Sequence, residues 1–392
     1  MKVENKKQNI LIVHNYYQIP GGEDTVVKNE LQMLMDHGHK VVFYTRHNSE
    51  INSMSFPRKL LLPFIAVFNF RTFFEVKKII REEKIDIVHV HNTLSLISPA
   101  VYYAAISSHV PVVQTVHNFR LLCPGATFYR DGHICEDCVS KGLGCAIRHK
   151  CYRNSYAQTL VCTVNMWIHR AAGIYKKINY ICLTEFNKEK LLSFKQIQEN
   201  QIFIKPNFVS SSGYFIPEDK RKNQFIFAGR LDQTKGIDFL LEAWKKLGDA
   251  APLLIVCGNG PLEEWCSDYI RENHLNVEMK GFLPNKEVLE LVAESKALLF
   301  PTRLYEGFPM SVVEAFSVGT PVICPNLGNC ASIIEEGVNG YCADSSFKDI
   351  YNYIDSLGEK NTVFKSTFMK SQSSYSENNN YNTRLKIYSK LS

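Results

Sequence analysis

The chain has 392 residues, of which 45% are hydrophobic, and its 45 Lys and Arg slightly outnumber its 39 Asp and Glu. This length favours two domains, because single hydrophobic cores stop growing at about 250–300 residues. The most apolar stretch, Leu60–Phe70, is interrupted by Pro63 and Asn69 and is too short to span a bilayer. Residues 1–8 lead directly into a strand pattern, so we expect no secretory signal, and the scattered cysteines favour a cytosolic compartment.

The charge is divided unevenly along the chain. Residues 1–205 hold 26 Lys and Arg and 16 Asp and Glu, a net charge of +10, whereas residues 206–392 carry −4. We therefore expect the first half alone to meet an anionic partner. No recognised nucleic-acid motif accompanies this charge. An anionic membrane surface or a lipid-phosphate acceptor fits it better, and we expect no nucleic-acid partner.

Short apolar runs alternate with helical patterns through the first half. This rhythm predicts a doubly wound parallel sheet, whose ligands bind beyond the carboxyl ends of the strands. A helix is predicted from Asp24 to His37. The apolar residues of its inner face are Val26, Val27, Leu31, Leu34 and Met35. The predicted strands are Asn9–Val13, Lys40–Thr45, Asp86–Val90, Pro111–Val116, Tyr180–Leu183 and Phe203–Pro206.

Glycine and histidine residues follow several of these strand ends. Gly21 and Gly22 form a turn between a strand and a helix, where the backbone approaches a ligand closely. This turn lacks the GxGxxG pattern, which argues against a dinucleotide-binding domain. His91 and His117 each follow a strand end. A lone histidine is usually structural, but its position after a strand end makes each of these a candidate for a ligand site.

Residues 56–80 mix apolar aromatic side chains with basic ones. One interpretation is an interfacial amphipathic segment that lies on a membrane. The other is a helix packed on the sheet with a basic outer face, and both stay open. The basic residues are Arg58, Lys59, Arg71, Lys77 and Lys78.

Residues 122–152 interrupt the strand and helix rhythm and contain five of the twelve cysteines. Cys135 and Cys138 have the two-residue gap of a zinc knuckle, and Cys123 and Cys151 would complete a thiolate set. Four thiolates would form a closed, structural zinc site, because they leave no open coordination position. A redox pair or unligated thiols are the alternatives. Substitute ligands in this segment are His133 and His149.

The second half repeats the same architecture after a linker at Asn207–Arg221. Arg230 and Lys235 lie on one turn after its first strand. A guanidinium binds one phosphate through paired donors, and an ammonium supplies a compact charge to the next. The predicted strands are Gln224–Ala228, Leu253–Cys257, Val277–Lys280, Ala297–Phe300 and Pro321–Cys324.

The segment from Phe300 to Thr320 combines a strand end, a polar loop and a helix predicted over Met310–Val318. Pro309 fits the first helical position. The free N–H groups of the first turn and the helix dipole favour a phosphate or a polar sugar face. Glu306 in the loop and Glu314 in the helix would both face such a ligand, which suits one that carries hydroxyls as well as phosphate. The alternative is an ordinary strand–helix unit with two solvated glutamates.

In this order, the motifs resemble the retaining glycosyltransferases of the GT-B fold, group 1 type (family 4), over nearly the whole chain. The cysteine segment is similar to one in a subset of these enzymes. The most specific motifs are Gly229-Arg230…Lys235-Gly236, Gly258-x-Gly260 and Glu306-x7-Glu314, which encloses Gly307-Phe308-Pro309.

The resemblance implies an α/β fold of two Rossmann-like doubly wound parallel-sheet domains that face each other across a cleft. The acceptor domain would span 1–207, with the cysteine-rich insertion at 122–152. The nucleotide-sugar domain would span 208–372. A helix at 373–392 would cross back to the first domain, and its pattern runs over Tyr381–Leu391, after the polar and poorly patterned stretch Ser366–Asn380.

The resemblance also implies residue roles. Arg230 and Lys235 would hold the donor diphosphate, and Glu314 would hold the nucleoside ribose. Glu306 would hold the hexose hydroxyls, and His117 would lie near the transferred sugar. Further donor-binding positions would be Gly21, Gly22, Gly229, Gly258, Gly260, Gly307, Phe308, Pro309 and Met310.

These groups define an expected chemistry. Cations and amide N–H groups already in place would stabilise the leaving diphosphate, and no DxD pair of a metal-dependent transferase is present, so we expect no cofactor for catalysis. Retention normally implies a double displacement. The family resemblance implies instead an attack from the leaving group's own face, so we expect no covalent nucleophile.

The expected function is transfer of a hexose from a UDP- or GDP-sugar to a glycan or lipid-linked acceptor in cell-surface polysaccharide synthesis. The expected location is cytoplasmic, at the inner face of the membrane. The alternatives are a nucleotide-sugar epimerase on the same fold and a non-catalytic, zinc-stabilised binding module.

Overall fold

The computed structural model describes residues 7–18, 21–209, 214–343 and 363–391. These residues form two compact units, each built on one six-stranded sheet. The first unit comprises residues up to 128, residues 135–206 and the chain from Asn380 onward. The second comprises residues 129–134 and 207–379. Within the described ranges, no helix has both the length and the apolar composition needed to cross a bilayer.

Strands and helices alternate along the chain as far as the end of the first sheet. The strands are β1 (Asn9–Tyr16), β2 (Lys40–His47), β3 (Ile87–Asn92), β4 (Val112–Val116), the short antiparallel pair β5 (Tyr129–Arg130) and β6 (His133–Ile134), β7 (Asn179–Cys182) and β8 (Ile202–Ile204). The helices are α1 (Gly22–Asp36), α2 (Phe56–Leu60), α3 (Leu62–Val67), α4 (Phe70–Glu82), α5 (Ala100–Ser107), α6 (Asp137–Ser140), α7 (Gly144–Arg148), α8 (Tyr156–Ala171) and α9 (Glu185–Leu192).

The first sheet is wholly parallel and has the order β2-β1-β3-β4-β7-β8. All six residues of β3 are buried, as expected for a central strand covered on both faces. The strand order reverses between β1 and β3, whose ends pair at His14 and Asn92. Ligands of doubly wound sheets bind outside the carboxyl ends of the strands at such a reversal.

Helix α1 shows one error in the predicted inner face. Val26, Val27 and Leu34 are buried as predicted, but Met35 is 47% exposed and Met33 is buried instead. The helical period explains the exchange, because 26, 30 and 33 lie on one face whereas 35 points away from it. Glu30 lies on the same buried face and is fully buried.

The last helix of the chain packs into the first unit. Helix α16 (Glu377–Leu391) starts before the predicted Tyr381–Leu391, and it follows α15 (Val363–Ser374), a helix that the sequence pattern did not indicate. The ring of Tyr381 stacks on His37 with the centroids 3.6 Å apart. The hydroxyl of Tyr388 lies 2.7 Å from Nδ1 of His89 in β3. Polar as well as apolar contacts therefore hold α16 in place, which explains its weak hydrophobic pattern.

The second unit repeats the same alternation around its own core. Its sheet is wholly parallel and has the order β11-β10-β9-β12-β13-β14. The strands are β9 (Gln224–Ala228), β10 (Leu253–Cys257), β11 (Val277–Gly281), β12 (Ala297–Leu299), β13 (Val322–Pro325) and β14 (Gly340–Ala343). The helices are α10 (Ile237–Leu247), α11 (Glu263–Glu272), α12 (Asn285–Glu294), α13 (Met310–Ser317) and α14 (Gly328–Ile333), followed by α15.

Helix α10 illustrates why this sequence folds as it does. Its apolar residues recur at helical spacing and are buried on one face of the sheet, while its lysines are exposed. Trp244 fills this layer and donates its indole N–H to the carbonyl oxygen of Pro252 at 2.9 Å. The two predicted doubly wound parallel sheets are thus confirmed, whereas the sequence pattern did not indicate β14 or the short pair β5 and β6.

Candidate functional site

The candidate site of the second unit lies where its strand order reverses, between the neighbouring strands β9 and β12. The loops after these two strands therefore leave the same edge of the sheet side by side. The loop after β9 carries Arg230 and Lys235, and the loop after β12 carries Glu306. In open α/β sheets this is the position where ligands bind.

Lys235 and Glu306 form the central contact between these loops. Lys235 Nζ lies 2.7 Å from Glu306 Oε1, with 27% and 13% of the two side chains exposed. Thr302 donates its hydroxyl to the same carboxylate oxygen at 2.6 Å. Burial alone would lower the pKa of Lys235, but the neighbouring carboxylate outweighs it and raises this pKa. Lys235 is therefore a cation held in place by the carboxylate of Glu306.

Two glycines allow the loops to approach each other closely. Gly236 has a φ of +73°, and a Cβ there would lie 1.9 Å from the carbonyl oxygen of Pro301 in the neighbouring loop. Gly258 has a φ of +135°, and a Cβ there would lie 1.9 Å from the carbonyl oxygen of Gly229. No side chain fits at either position. These glycines of the predicted motif thus shape the backbone around Lys235.

The turn that carries Lys235 is closed by an aspartate. Asp232 Oδ1 accepts hydrogen bonds from the backbone N–H groups of Thr234 at 2.9 Å and Lys235 at 3.1 Å. Asp232 also lies 3.4 Å from Arg230 Nε, but the Arg230 side chain is 60% exposed. The structure thus holds Lys235 in place, whereas Arg230 extends into solvent beside it.

The Glu306 loop leads into α13, with one difference from the predicted helix start. Pro309 is the N-cap, at φ −76° and ψ 99°, and the first helical residue is Met310. Its extended ψ is incompatible with the first helical position predicted for it. Asn329 donates its side-chain amide to the carbonyl oxygen of Gly307 at 2.9 Å. This contact from α14 holds the loop between Glu306 and the helix.

Glu314 has a different environment from Glu306. Its Oε1 accepts a hydrogen bond from the side-chain amide of Asn285 at 3.3 Å. Burial raises the pKa of Glu314, and the hydrogen bond from Asn285 offsets part of that rise. A half-buried carboxylate held by a neutral amide suits a hydroxyl-bearing ligand, because a hydroxyl group satisfies it without adding charge.

In the first unit, the predicted glycine turn is tied to a histidine. Asp24 Oδ2 accepts a hydrogen bond from the N–H of Gly21 at 3.0 Å, and its Oδ1 lies 2.8 Å from His14 Nε2. Gly22 is the first residue of α1. His14 lies in the buried part of β1, so this contact holds the start of α1 against the sheet.

His117 lies just beyond β4, next to His91 at the end of β3. His91 Nδ1 and His117 Nε2 are 2.9 Å apart, and the rings stack with centroids 5.2 Å apart. Both line a small cavity of about 70 Å³, together with Asn118 and Arg120. Burial lowers the pKa of His117 to about 3, so its imidazole is neutral near pH 7.

The cysteine segment gathers several thiols. Burial raises the pKa of Cys138 to about 12, and the thiols of Cys123, Cys151 and Cys145 add to this rise. A Cβ at Gly125 would lie 3.6 Å from the sulfur of Cys123 and 3.5 Å from Cβ of Cys151. The donor type fits a structural zinc site. Cys145 joins Cys123, Cys138 and Cys151, which are three of the four thiols expected from the sequence.

Sequence reasoning did not single out several residues that the structure places at these sites. Asp232, Asn285, Thr302 and Asn329 are ordinary loop or helix-end residues in the sequence, without a spacing that marks them. Glu30 carries a usable signal, because it is a carboxylate on the apolar face of a predicted helix.

Two family models match the chain and together cover most of it. The model described as Glycosyltransferase Family 4 matches residues 20–212. The model described as Glycosyl transferases group 1 matches residues 215–379.

The chain spans 62–68% of the length of three of the curated relatives that it matches. An uncharacterized 41.2 kDa protein in the cps region of Klebsiella pneumoniae is 25% identical over 275 residues, which are 68% of this chain and 68% of that protein. One human phosphatidylinositol N-acetylglucosaminyltransferase subunit is 23% identical over 361 residues, which are 87% of this chain and 66% of that protein.

Solved structures share the fold over nearly the full chain. Anabaena HepE, solved in complex with UDP, has a TM-score of 0.67 at 15% identity and covers 98% of this chain and 100% of its own. The apo lipopolysaccharide outer core galactosyltransferase WaaB has a TM-score of 0.64 at 18% identity, with 98% and 100% covered. At these identities the likeness shows the two-sheet GT-B architecture.

Proposed function

The chain belongs to glycosyltransferase family 4, of the group 1 type, and we propose that it transfers a hexose from a UDP- or GDP-sugar to a glycan or lipid-linked acceptor in surface polysaccharide synthesis. The observation that carries this proposal is the Lys235–Glu306 contact at the strand reversal of the second unit. A nucleotide diphosphate would draw Lys235 toward its phosphates and release Glu306 to accept hydrogen bonds from sugar hydroxyls. The UDP and UDP-glucose complexes of HepE support a nucleotide-sugar donor.

We assign the chemistry of the donor to four side chains. Arg230 and Lys235 would stabilise the charge that develops on the leaving diphosphate. Glu306 would bind the hexose, and Glu314 would bind the ribose. We propose transfer with retention and without a catalytic metal, because these cations and the amide groups at the start of α13 meet the electrostatic need of the leaving group.

The acceptor is proposed to carry a lipid, on the evidence of a second cavity in the first unit. This cavity of about 380 Å³ lies beside α2, α3 and α8. Leu62, Ala66 and Val161 supply apolar walls, Lys59 and Arg153 supply positive charge, and none of the described lining residues is acidic. Apolar walls and cations together suit a lipid chain that ends in a phosphate.

The surface around this cavity supports a membrane location. Helices α2 to α4 and α8 expose large apolar side chains among basic ones, which is the composition of an interfacial segment. We propose that this surface docks on an anionic membrane. The exposed apolar residues are Phe56, Leu60, Leu61, Phe64, Phe70, Phe74, Tyr156, Leu160, Trp167 and Ile168.

Vesicle binding tests the membrane proposal. The variant Phe64→Ser should bind anionic vesicles more weakly than the wild type, because it removes an apolar side chain that is 72% exposed on this surface. Phe282→Ser is the matched control, since Phe282 is 75% exposed in the second unit. Equal binding of all three proteins would contradict the assigned surface.

We also propose a structural zinc held by the thiols of Cys123, Cys135, Cys138 and Cys151, with Cys145 as the neighbouring alternative ligand. Zinc would hold the insertion at 122–152 together, because four thiolates bind it in a closed tetrahedral set.

The activity itself is tested by incubating the purified chain with labelled UDP- and GDP-sugars and a lipid-phosphate acceptor. The proposal is supported if the wild type forms labelled acceptor and Lys235→Ala does not. Release of nucleotide without labelled acceptor would favour an epimerase or hydrolase. Neither binding nor turnover would favour the non-catalytic binding module.

A further inference from the structure

Glu30 is a carboxylate in the interior of the first unit, with two cations on one side and a histidine on the other. Its Oε1 lies 2.8 Å from Lys205 Nζ and contacts the guanidinium of Arg384. Its Oε2 lies 3.3 Å from His91 Nε2. The side chains of Glu30, Lys205, His91 and Arg384 are all 0% exposed. Burial of a charged carboxylate carries a large desolvation cost, which apolar packing at this position would avoid.

Glu30 and His91 each leave one buried polar atom unsatisfied. Within the described ranges, Glu30 Oε2 and His91 Nε2 have no hydrogen-bond partner, yet they lie 3.3 Å apart, so a hydrogen bond between them would satisfy both. On its other side, His91 Nδ1 lies 2.9 Å from His117 Nε2. A continuous line of polar atoms therefore runs from the buried carboxylate to His117, at the edge of the sheet.

The protons along this line follow from what each group is able to donate. Lys205 and Arg384 are donors only, so Glu30 Oε1 accepts from both. They hold the pKa of Glu30 well below its usual range despite the burial, and Glu30 is a carboxylate. Burial keeps His91 and His117 neutral by lowering the pKa of each ring.

A neutral imidazole has one donor and one acceptor nitrogen, and its neighbours determine which is which. Because Glu30 Oε2 accepts, His91 Nε2 carries the proton and His91 Nδ1 accepts. His117 Nε2 must then carry a proton to donate to His91. His117 Nδ1 is left as an acceptor.

We propose that Glu30 is a positioning residue that sets the tautomer of His117 through His91, so that His117 presents Nδ1 as a hydrogen-bond acceptor toward a substrate hydroxyl. The identity of that hydroxyl rests on the proposed glycosyl transfer. The tautomer itself does not, since it follows from the contacts inside the first unit.

A metal site is the competing interpretation of the same cluster. The ligand atoms of Glu30, His89 and His91 lie within 4.8 Å of one another. However, both ring nitrogens of His89 already have partners at 2.7 Å, the hydroxyls of Tyr388 and Thr115. Two buried cations also touch Glu30, and they would repel a metal ion. The geometry therefore favours the hydrogen-bonded line over a metal.

The variant Glu30→Gln should reverse the tautomer of His117. The glutamine carbonyl oxygen must face Lys205 and Arg384, because both are donors. Its NH₂ group must then face His91 Nε2 and donate to it. The direction of every hydrogen bond along the line reverses, and His117 Nδ1 becomes the protonated nitrogen. One isosteric substitution would thus change an acceptor into a donor two side chains away.

Long-range ¹H–¹⁵N spectra of the full chain with ¹⁵N-labelled histidine measure this directly, with the His117 signals identified by their loss in His117→Asn. We expect His117 to be protonated on Nε2 in the wild type and on Nδ1 in Glu30→Gln. Glu75→Gln is the control, because Glu75 is a carboxylate of the same unit outside this line and its loss should leave the wild-type tautomer. Protonation on Nδ1 in the wild type, or an unchanged tautomer in Glu30→Gln, would overturn the proposal.

Removal of a buried negative charge beside two cations endangers folding. The double variant Glu30→Gln/Lys205→Met restores the wild-type net charge of the cluster and still presents the glutamine carbonyl to Arg384. It should show the same reversed tautomer.

Steady-state kinetics then distinguish a positioning role of Glu30 from a role in packing alone. In Glu30→Gln, kcat should fall by about tenfold or more while the KM for the nucleotide sugar stays within about twofold. A rise in KM with unchanged kcat would contradict a role in the transition state. A reversed tautomer in a chain with no transferase activity in any form would uphold the relay and refute the proposed function.

Discussion

Lys235 Nζ lies 2.7 Å from Glu306 Oε1 and joins the loops that follow two neighbouring strands, β9 and β12. The two residues are 71 positions apart in the sequence. An ion pair that spans the strand reversal holds a cation and a carboxylate where a charged, hydroxyl-bearing ligand would need both.

Removal of the cation gives the first prediction. Lys235→Ala should lower kcat/KM by about 100- to 1,000-fold, because loss of one pre-placed donor to a developing anion costs about 3–4 kcal/mol. Arg230→Ala should also lose most turnover. Steady-state kinetics with the donor sugar measure both. Lys245→Ala, an exposed lysine on α10, is the control and should retain wild-type rates. Near wild-type rates for Lys235→Ala and Arg230→Ala would refute the diphosphate site.

The two glutamates should differ in how they affect catalysis. Glu306→Gln should lower kcat far more than it weakens nucleotide binding, because the hexose changes charge and shape in the transition state. Glu314→Gln should weaken nucleotide and nucleotide-sugar binding alike, since ribose is common to both. Calorimetric titration of nucleoside diphosphate into each variant measures the difference. The opposite pattern would exchange their assigned roles, and effects within about 0.5 kcal/mol for both would mean solvated charges.

Gly236 provides a test of the loop geometry. Gly236→Ala should lower the free energy of unfolding by at least about 2 kcal/mol more than Gly173→Ala does, because its Cβ would meet a carbonyl oxygen at 1.9 Å. Gly173 is the matched control, with nearly the same backbone angles but only a flexible lysine carbon at 4.0 Å. Thermal or urea unfolding measures both. Equal losses would show that the neighbouring loop moves aside.

The cysteine segment should carry metal. The purified protein should contain about one zinc per chain. Cys135→Ser combined with Cys138→Ser should lose that zinc and unfold at a lower temperature. Elemental analysis and thermal unfolding give the two readouts, with Cys266→Ser as the control because Cys266 lies in the core of the second unit. A metal-free preparation with full activity would exclude the site.

The buried histidines predict a pH dependence of stability. Burial lowers the pKa of His89 and of His91 well below 6.5, so the unfolded chain binds more protons than the folded one as the pH falls below about 6.5. The free energy of unfolding should therefore be independent of these two histidines above that pH. Below it, the free energy of unfolding should decrease by up to about 1.4 kcal/mol per pH unit for each histidine. Unfolding midpoints from pH 7.5 to pH 5 test this, and His91→Gln should reduce the slope. A flat profile in this range would contradict neutral, buried rings.

Much of the fold follows from the sequence because the signals are local. The strands β9 and β10 begin and end at the predicted residues. Each is a short apolar run bounded by glycine or polar residues, and this pattern indicates a buried strand. Gly236 and Gly258 also belong to the motifs that the sequence pattern identifies. These features depend on residues close together in the chain, so one sequence is enough to find them.

The missing parts depend on long-range partners. Asn285 and Asn329 donate to a carboxylate and to a carbonyl group in other elements, and the sequence does not show these partners. Arg384 is an ordinary exposed-type residue in the sequence, and only the tertiary fold places it beside Glu30. The apolar character of Met35 predicts a core position, but the helical period directs its side chain outward, and it is 47% exposed. Spacing identifies faces, but not the partner of each face.

The order in which the chain is synthesised determines when the Glu30 cluster is able to form. Glu30 and Lys205 are made first, then residues 207–379 of the second unit, and only then Arg384. While the ribosome makes the second unit, the buried carboxylate has one of its two cations, and the hydroxyl of Tyr388 has not yet reached His89. The first unit therefore lacks these buried contacts until residues 207–379 have been translated. A nascent chain that stops before Arg384 lacks one of the two cations that contact the buried carboxylate of Glu30.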